Sequence, residues 1–156
     1  TFQLESPPTA FAAHVAVVEV DLKSGDVKVV KYVAVHDIGR VVNPMIVEGQ
    51  VHGGVAQGIS QALFEAVHYD QDGQPSTGSL LDYATPIAAD IPPIVVDSVS
   101  TPSPTNPLGV KGVAELPTVA APAAVANAVM DALAPTGGRH IDIPLSPDKI
   151  WAAVNR

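Results

Sequence analysis

Apolar and polar positions first form a regular pattern in two runs rich in β-branched residues, Phe11 to Asp21 and Val27 to His36. Residues 22–26 separate the runs and supply Gly25 where a tight turn needs a positive φ, so we predict a β-hairpin. Residues 1–10, which include two adjacent prolines, are predicted to be irregular. Alternation along the second run places Val27, Val29, Val33 and Val35 on one face and Lys28, Val30, Tyr32 and Ala34 on the other. Both faces are mostly apolar, so we expect a sheet covered on both sides.

A helical pattern follows, with Asn43 as N-cap and Pro44 at the first helical position. The helix is predicted to run to about Glu65. Its expected buried stripe recurs at every fourth residue: Val47, Val51, Val55, Ile59 and Leu63. It also carries Gly49, Gly53, Gly54 and Gly58. Each glycine costs a helix about 1 kcal/mol relative to alanine, so we expect another backbone or a bulky ligand to approach closely there. Helix–helix packing and ligand binding remain equally open as the reason.

The rest of the chain is predicted as shorter elements. These are a hairpin-like segment over residues 66–81, strands Leu80–Thr85 and Ile94–Ser100, a loop over residues 106–118, a helix from Pro122 to Leu133 with Val125, Val129 and Leu133 buried, a short extended run from His140 to Ile143, and a last helix from Pro147 to Val154 anchored by Ile150 and Trp151. Together they predict one α+β domain over residues 1–156, with a mixed or antiparallel sheet and flanking helices.

Composition narrows the function classes. Only 15% of the residues are charged, against about 25% in ordinary domains, so we expect much of the outside to be buried against something else. The net charge is −8 and no basic run exists, which argues against a nucleic-acid partner. No apolar run approaches 18 residues, so no membrane span is expected. The chain has no cysteine, which excludes thiolate ligands from it and fits a cytoplasmic location.

Glu115 is the candidate catalytic residue. It lies in the predicted loop 106–118 among apolar and small neighbours, where desolvation raises the pKa of a carboxylate and makes it a candidate general base. The alternative is an ordinary solvated acid. The five histidines offer no pair at helical spacing with an acid between them, so no protein-ligated metal is expected. His36 and Asp37 are neighbours on a strand and point to opposite faces, so we interpret them as structural or as hydrogen-bonding to a loop.

Three runs together resemble one family: residues 36–44 (HDIGRVVNP), residues 48–58 (EGQVHGGVAQG) and residues 109–115 (GVKGVAE). Their order and spacing are similar to the C-terminal end of the large, molybdenum-cofactor-binding subunit of the xanthine oxidase family of molybdenum hydroxylases. The branch that includes the aerobic carbon monoxide dehydrogenase large subunits is the most similar. The resemblance covers nearly all of this chain, and in the family it covers only the last part of a much longer subunit.

The resemblance implies the site. Glu115 matches the family's active-site base beside molybdenum, and Gln50 matches a glutamine that hydrogen-bonds the pterin. Asn43 and the backbone of Lys111, Gly112 and Val113 are expected cofactor neighbours. Ala114 stands where the family usually has glycine, and its methyl group is expected to shift the loop or bar a positive φ.

The resemblance also implies cofactors, partners and substrates. It implies a molybdenum–molybdopterin cofactor in its cytosine dinucleotide form, with 2Fe-2S and FAD groups in partner chains or domains. The expected partners are the remainder of the large subunit and iron–sulfur and flavin subunits, as a dimer of heterotrimers. The substrate could be carbon monoxide, an aldehyde, a purine or another N-heterocycle. A copper-bearing cysteine loop would lie upstream, so this chain does not decide among them. The alternative is a non-catalytic assembly or small-molecule-binding module that retains the family's shape.

Overall fold

The computed structural model describes residues 6–137 and 140–155, so part of the predicted irregular start lies outside the described residues. The strands and helices are β1 (Phe11–Val20), β2 (Val27–Asp37), α1 (Pro44–Leu63), β3 (Ile94–Val99), α2 (Leu116–Leu133) and α3 (Pro147–Val154), with short 3-10 turns at Ala88–Asp90 and Ala134–Thr136. The predicted bounds of the hairpin, of α1 and of β3 agree with these to within about two residues, and those of α3 coincide with them.

The sheet is mixed, in the order β1-β2-β3. β1 and β2 pair antiparallel as a hairpin, and β3 runs parallel to β2. Helices lie against this sheet, which confirms the predicted α+β class. The parallel pairing follows from the long connection between β2 and β3, because only such a crossover lets two strands run in the same direction.

The predicted faces of β2 are wrong beyond its midpoint. Val17 pairs with Lys31 and Val18 pairs with Val29, so Val30 has no partner and forms a bulge. An extra residue shifts the alternation of side chains by one position. The buried positions of β2 are therefore Val29, then Tyr32, Ala34 and His36. Val33 and Val35 lie on the opposite face from Val29 and are only partly buried.

The core lies between α1, α2 and one face of the sheet. Each helix buries a stripe close to the predicted one: Val51, Val55, Ile59 and Leu63 from α1, and Val125, Val129 and Leu133 from α2. α1 and α2 run parallel to each other, since Gly54 faces Pro117 and, one turn on, Gly58 faces Ala121. Both helices therefore begin at the same end of the domain.

The second face of the sheet is open in the described part of the chain. It exposes large apolar side chains from both edge strands: Phe11, Val15, Val17, Val95 and Val99 are each between 46% and 61% exposed. The expected cover is thus present on one face only. A large exposed apolar face of this kind is typical of an interaction surface.

Three other predictions need correction. Leu80–Thr85 is not a strand: Tyr83 N donates to Ser79 O at 2.9 Å and Ser79 Oγ donates to Asp82 at 2.6 Å, which closes a turn. The segment before it is hairpin-like through one bridge, between Tyr69 and Pro75.

The second helix begins at Leu116 and not at Pro122, which lies inside it. Proline at 117 fits the first turn of a helix, where no backbone N–H is needed. In α3, Ile150 is fully buried, but Trp151 is 49% exposed and is not an anchor within this chain.

By length and composition, the segment Leu116–Thr136 is apolar enough to cross a membrane, and it is the one such helix among the described residues. The core helix of a globular protein meets the same criterion. Since α2 packs on α1 and the sheet, this is weak evidence for a membrane span.

Candidate functional site

The predicted site residues gather where α1 and α2 begin. Gln50 lies one turn before Gly54 on α1, and Glu115 directly precedes α2, whose Pro117 lies against Gly54. Because the helices are parallel, Gln50 and Glu115 belong to the same end of the domain. The two helix N-termini also direct the positive ends of their dipoles to this end.

Glu115 occupies the N-cap position of α2 and is exposed in this chain. Its side chain makes no capping hydrogen bond, and only its backbone oxygen serves the helix, by accepting from Val119 N at 3.2 Å. The carboxylate is thus available for chemistry. The apolar surroundings expected from the sequence are not supplied by this chain, so any desolvation of Glu115 must come from a surface beyond it.

Asn43 caps α1 as predicted. Its backbone is extended, and its Oδ1 accepts from Ile46 N at 3.2 Å. The cap uses the side-chain oxygen and not the amide nitrogen, so the residue can serve both the helix and a neighbouring group. Both Asn43 and Gln50 are exposed.

The four glycines of α1 divide into two pairs. A Cβ on Gly54 would lie 2.8 Å from Pro117 Cβ, and one on Gly58 would lie 2.4 Å from Ala121 Cβ. These two positions need glycine because α2 approaches so closely. A Cβ on Gly49 or Gly53 would meet nothing within 4 Å. Helix packing therefore explains Gly54 and Gly58. Gly49 and Gly53 flank Gln50 on an open surface, where ligand binding remains the other explanation.

The loop before Glu115 is held by backbone contacts to the end of β2. Lys111 N donates to Ile38 O at 2.8 Å, and Arg40 N donates to Gly109 O at 3.0 Å. Gly39 has φ +65°, and a Cβ there would lie 2.2 Å from Gly109 O, so only glycine allows this approach.

Ala114 itself has no positive φ, and it is exposed. The methyl group that departs from the expected glycine is therefore compatible with this loop.

Asp37 joins three segments through one carboxylate. Its Oδ1 accepts from Gly39 N and from Thr101 N, each at 3.0 Å, and its Oδ2 lies 3.1 Å from Lys111 Nζ. The hydrogen bond from Gly39 N–H, and then those from Thr101, hold the pKa of this carboxyl well below its usual range. The sequence predicts that His36 and Asp37 are structural or hydrogen-bond to a loop, and Asp37 does accept a hydrogen bond from Thr101 N. The ionic partner Lys111 is not predicted, since no local pattern connects residues so far apart.

A polar cluster lies on the face of the sheet opposite to Asp37. His14 Nδ1 is 2.8 Å from the Tyr32 hydroxyl, and His14 Nε2 is 3.0 Å from His36 Nε2. Burial, and then the nearby charge of His36, lower the pKa of His14 to about 4. Burial also lowers the pKa of His36. Both imidazoles are therefore neutral at pH 7, when one facing nitrogen donates and the other accepts. The alternation shift in β2 brings Tyr32 and His36 to this face.

Two cavities in the described part of the chain are lined by neither Glu115 nor Gln50. One cavity, of about 660 Å³, is lined by residues such as Thr136, His140 and Lys149 near the C-terminal helix. A smaller one of about 220 Å³ lies under the start of α1, between Val51 and β3, and includes His36 and Glu48. Neither includes a predicted catalytic or pterin-binding residue. The described residues contain no group of three or more His, Asp or Glu side chains that could hold a metal ion.

Comparison with known proteins gives these features a context. A family model described as the molybdopterin cofactor-binding domain matches residues 3–92. The large subunit of nicotine 6-hydroxylase from Paenarthrobacter nicotinovorans is 46% identical over 147 residues. The carbon monoxide dehydrogenase large chain of Hydrogenophaga pseudoflava is 38% identical over 144 residues. These matches cover 94% and 92% of this chain, and 18% of each relative.

The fold matches as well. The crystal structure of quinoline 2-oxidoreductase from Pseudomonas putida 86 superposes with a TM-score of 0.92 at 43% identity, over 94% of this chain and 19% of that one. The chain thus spans about a fifth of the length of the relatives it matches.

Proposed function

Because this chain belongs to the molybdopterin cofactor-binding domain family of molybdenum hydroxylases, we propose that it forms one wall of the active site of a larger molybdenum oxidoreductase. One observation carries the proposal. An uncommitted carboxylate, Glu115, and an exposed amide, Gln50, share the end of the domain where two parallel helices begin. Since this end is an open surface, the remainder of a large subunit would supply the opposite wall.

The residues present fit a pterin cofactor. Gly49 and Gly53 leave open space on both sides of Gln50, so a flat ring system can approach the helix backbone while the amide of Gln50 donates and accepts hydrogen bonds. Asn43 and the backbone of residues 111–113 would complete the contacts. The finer proposal is the cytosine dinucleotide form of the cofactor.

In the proposed mechanism, Glu115 is the general base. The molybdenum centre, when bound, would supply the two-electron redox chemistry. Glu115 would accept the proton released as water-derived oxygen is transferred to the substrate carbon, and would pass it on to solvent. The Glu115 side chain does not cap α2. Its carboxylate oxygens are therefore free to accept that proton. The carboxylate would need cover from the rest of the subunit to exclude competing water.

The proposal extends to substrate and partners. The related proteins are named for carbon monoxide, nicotine, xanthine and aldehydes, so we propose a small oxidisable molecule of one of these classes. We further propose 2Fe-2S and FAD groups in partner subunits or domains that carry electrons away, an assembly as a dimer of heterotrimers, and a cytoplasmic location.

The catalytic proposal is tested by Glu115→Gln in the complete enzyme. Glutamine keeps the size of the side chain and cannot accept the proton, so we expect kcat to fall at least about a hundredfold at unchanged molybdenum content. Glu19→Gln, on the exposed face of β1, is the matched control and should leave kcat unaltered. Turnover of Glu115→Gln within a factor of two of the parent would reject the base assignment and favour a non-catalytic module.

The cofactor proposal is tested by a pair of glutamines on one helix. Gln50→Ala should lower the pterin and molybdenum content of the purified enzyme, because the hydrogen bonds of the amide are lost. Gln57→Ala, two turns further along the exposed side of α1, should retain full content. Equal content in both variants would remove Gln50 from the cofactor site.

A further inference from the structure

The ion pair between Asp37 and Lys111 lies next to the loop that carries Glu115. Its Oδ2–Nζ distance is 3.1 Å, and the side chains of Lys111 and Asp37 are 7% and 16% exposed. Ion pairs on a protein surface contribute little because solvent screens them. The pair between Asp37 and Lys111 is largely buried, and the carboxylate also accepts hydrogen bonds from two backbone N–H groups, so its geometry is well defined.

The pair reinforces a backbone clamp. Residues 38–40 and 109–111 are joined by two backbone hydrogen bonds, which together form the antiparallel bridge between Gly39 and Val110. Ser100 Oγ donates to Gly39 O at 3.0 Å and fixes the clamp to the end of β3. Asp37 directly precedes the first segment of this clamp and Lys111 ends the second, so their attraction holds the two segments together.

Glu115 is held from two sides. On its C-terminal side, Pro117 is packed on Gly54. On its N-terminal side, only residues 112–114 separate it from Lys111, and of these only Val113 packs on the core. Lys111 is therefore the nearest residue before Glu115 whose side chain is fixed by an ion pair, and it lies four residues before Glu115, where the chain turns into α2.

We propose that Asp37 is a positioning residue for catalysis, which acts through Lys111 to hold loop 109–115 so that the Glu115 carboxylate faces the reacting atoms. This inference rests on the proposed function of Glu115 as the base. Asp37 touches neither substrate nor cofactor in this scheme. Small displacements of a catalytic group lower turnover strongly, whereas binding of substrate by other residues is preserved.

The test uses the complete enzyme with Asp37→Asn and Lys111→Met. Asparagine keeps a side-chain oxygen for Gly39 N and Thr101 N but loses the charge that attracts Lys111. Each variant should lower kcat about tenfold and change KM less than about twofold, at parental molybdenum content. The double variant should be no slower than either single variant, because both remove one interaction. Lys111→Arg should restore at least half of the parental kcat.

Asp21→Asn is the matched control. Asp21 accepts from Lys23 N at 2.8 Å, the same i to i+2 geometry that joins Asp37 to Gly39, but it lies in the hairpin turn at the other end of the sheet. Its kcat should equal that of the parent.

The outcomes distinguish positioning by Asp37 from the assignment of Glu115 as the base. If Glu115→Gln abolishes turnover and both Asp37→Asn and Lys111→Met keep parental kcat, positioning by the pair is wrong while the base assignment stands. If the two single effects multiply in the double variant, Asp37 does not act through Lys111. If Asp37→Asn fails to fold, Lys111→Met and its arginine rescue decide alone. If Glu115→Gln is fully active, both proposals fail.

Discussion

The two glycine pairs of α1 differ in what lies opposite them. Gly54 and Gly58 lie so close to α2 that a side chain at either position would overlap with it, whereas Gly49 and Gly53 face open space. The same division runs through the whole domain: one side of α1 and one face of the sheet are closed by this chain, and the other side of each is left bare. The closed side specifies the fold, and the open side is where the proposed cofactor and the remainder of a subunit would bind.

The largest effect is expected on the closed side. In Gly58→Ala, the new methyl group would lie 2.4 Å from Ala121 Cβ and 2.9 Å from Pro122 Cδ, so α1 and α2 must separate. We expect the free energy of unfolding to fall by about 2–3 kcal/mol, as for other overpacked cores. Urea denaturation measures this. An unchanged or increased stability would mean that the two helices have room to move apart.

Acid should weaken the closed side through its polar cluster. The pKa of His14 is lowered to about 4, below the usual value near 6.5 of an unfolded chain. The unfolded chain therefore binds the proton more readily. The stability that neutral His14 contributes to the folded state is fully present above about pH 6.5 and is lost as pH falls toward 4. The loss is on the order of 2 kcal/mol of unfolding free energy, after reduction for partial solvent access.

Denaturation midpoints at pH 7 and pH 4.5 would show this loss. His14→Gln should reduce the difference, and His52→Gln, which alters an exposed histidine of α1, should not. A difference that His14→Gln leaves intact would assign the acid sensitivity to other groups.

The open side should respond in the opposite sense. Gly53→Ala adds a methyl group that meets nothing within 4 Å in this chain, and alanine favours a helix over glycine by up to about 1 kcal/mol. We expect this chain to become slightly more stable in denaturation. In the complete enzyme the same change should lower cofactor content, since the space beside Gln50 is then partly filled. Parental cofactor content would show that this space is not used by the cofactor.

The smallest effect is expected on the open face of the sheet. Val15 is 58% exposed, so Val15→Thr should change the stability of this chain by less than about 0.5 kcal/mol. Val18→Thr, whose side chain packs on the core, should cost about 1–2 kcal/mol because a hydroxyl group is buried.

Thermal unfolding of the complete enzyme extends the comparison. If the rest of the subunit covers the open face, Val15→Thr becomes destabilising in the complete enzyme, as Val18→Thr already is in this chain. An unaltered midpoint would mean that this face is not covered.

The candidate site can be proposed from the sequence because its signals are local or belong to a resemblance. Asn43 caps α1 through a bond to a residue three positions on, and the glycine-rich pattern around Gln50 can be read directly from the sequence. Glu115 as the base remains a prediction, and its setting differs from the expected one: the sequence places it among apolar neighbours, whereas in the structure it is exposed at the N-cap of α2. The backbone of Lys111 is predicted to lie near the cofactor, and in the structure the side chain of Lys111 binds Asp37.

The sequence by itself determined the elements whose causes lie within a few residues: the hairpin around Gly25, the capped start of α1 and the helix that begins at Pro147. Only the tertiary structure decided which face of β2 is buried beyond Val30, because a bulge depends on the register with β1. It also decided which glycines of α1 serve α2 and which remain open. Contacts between distant segments depend on how the whole chain folds, and no local pattern encodes them.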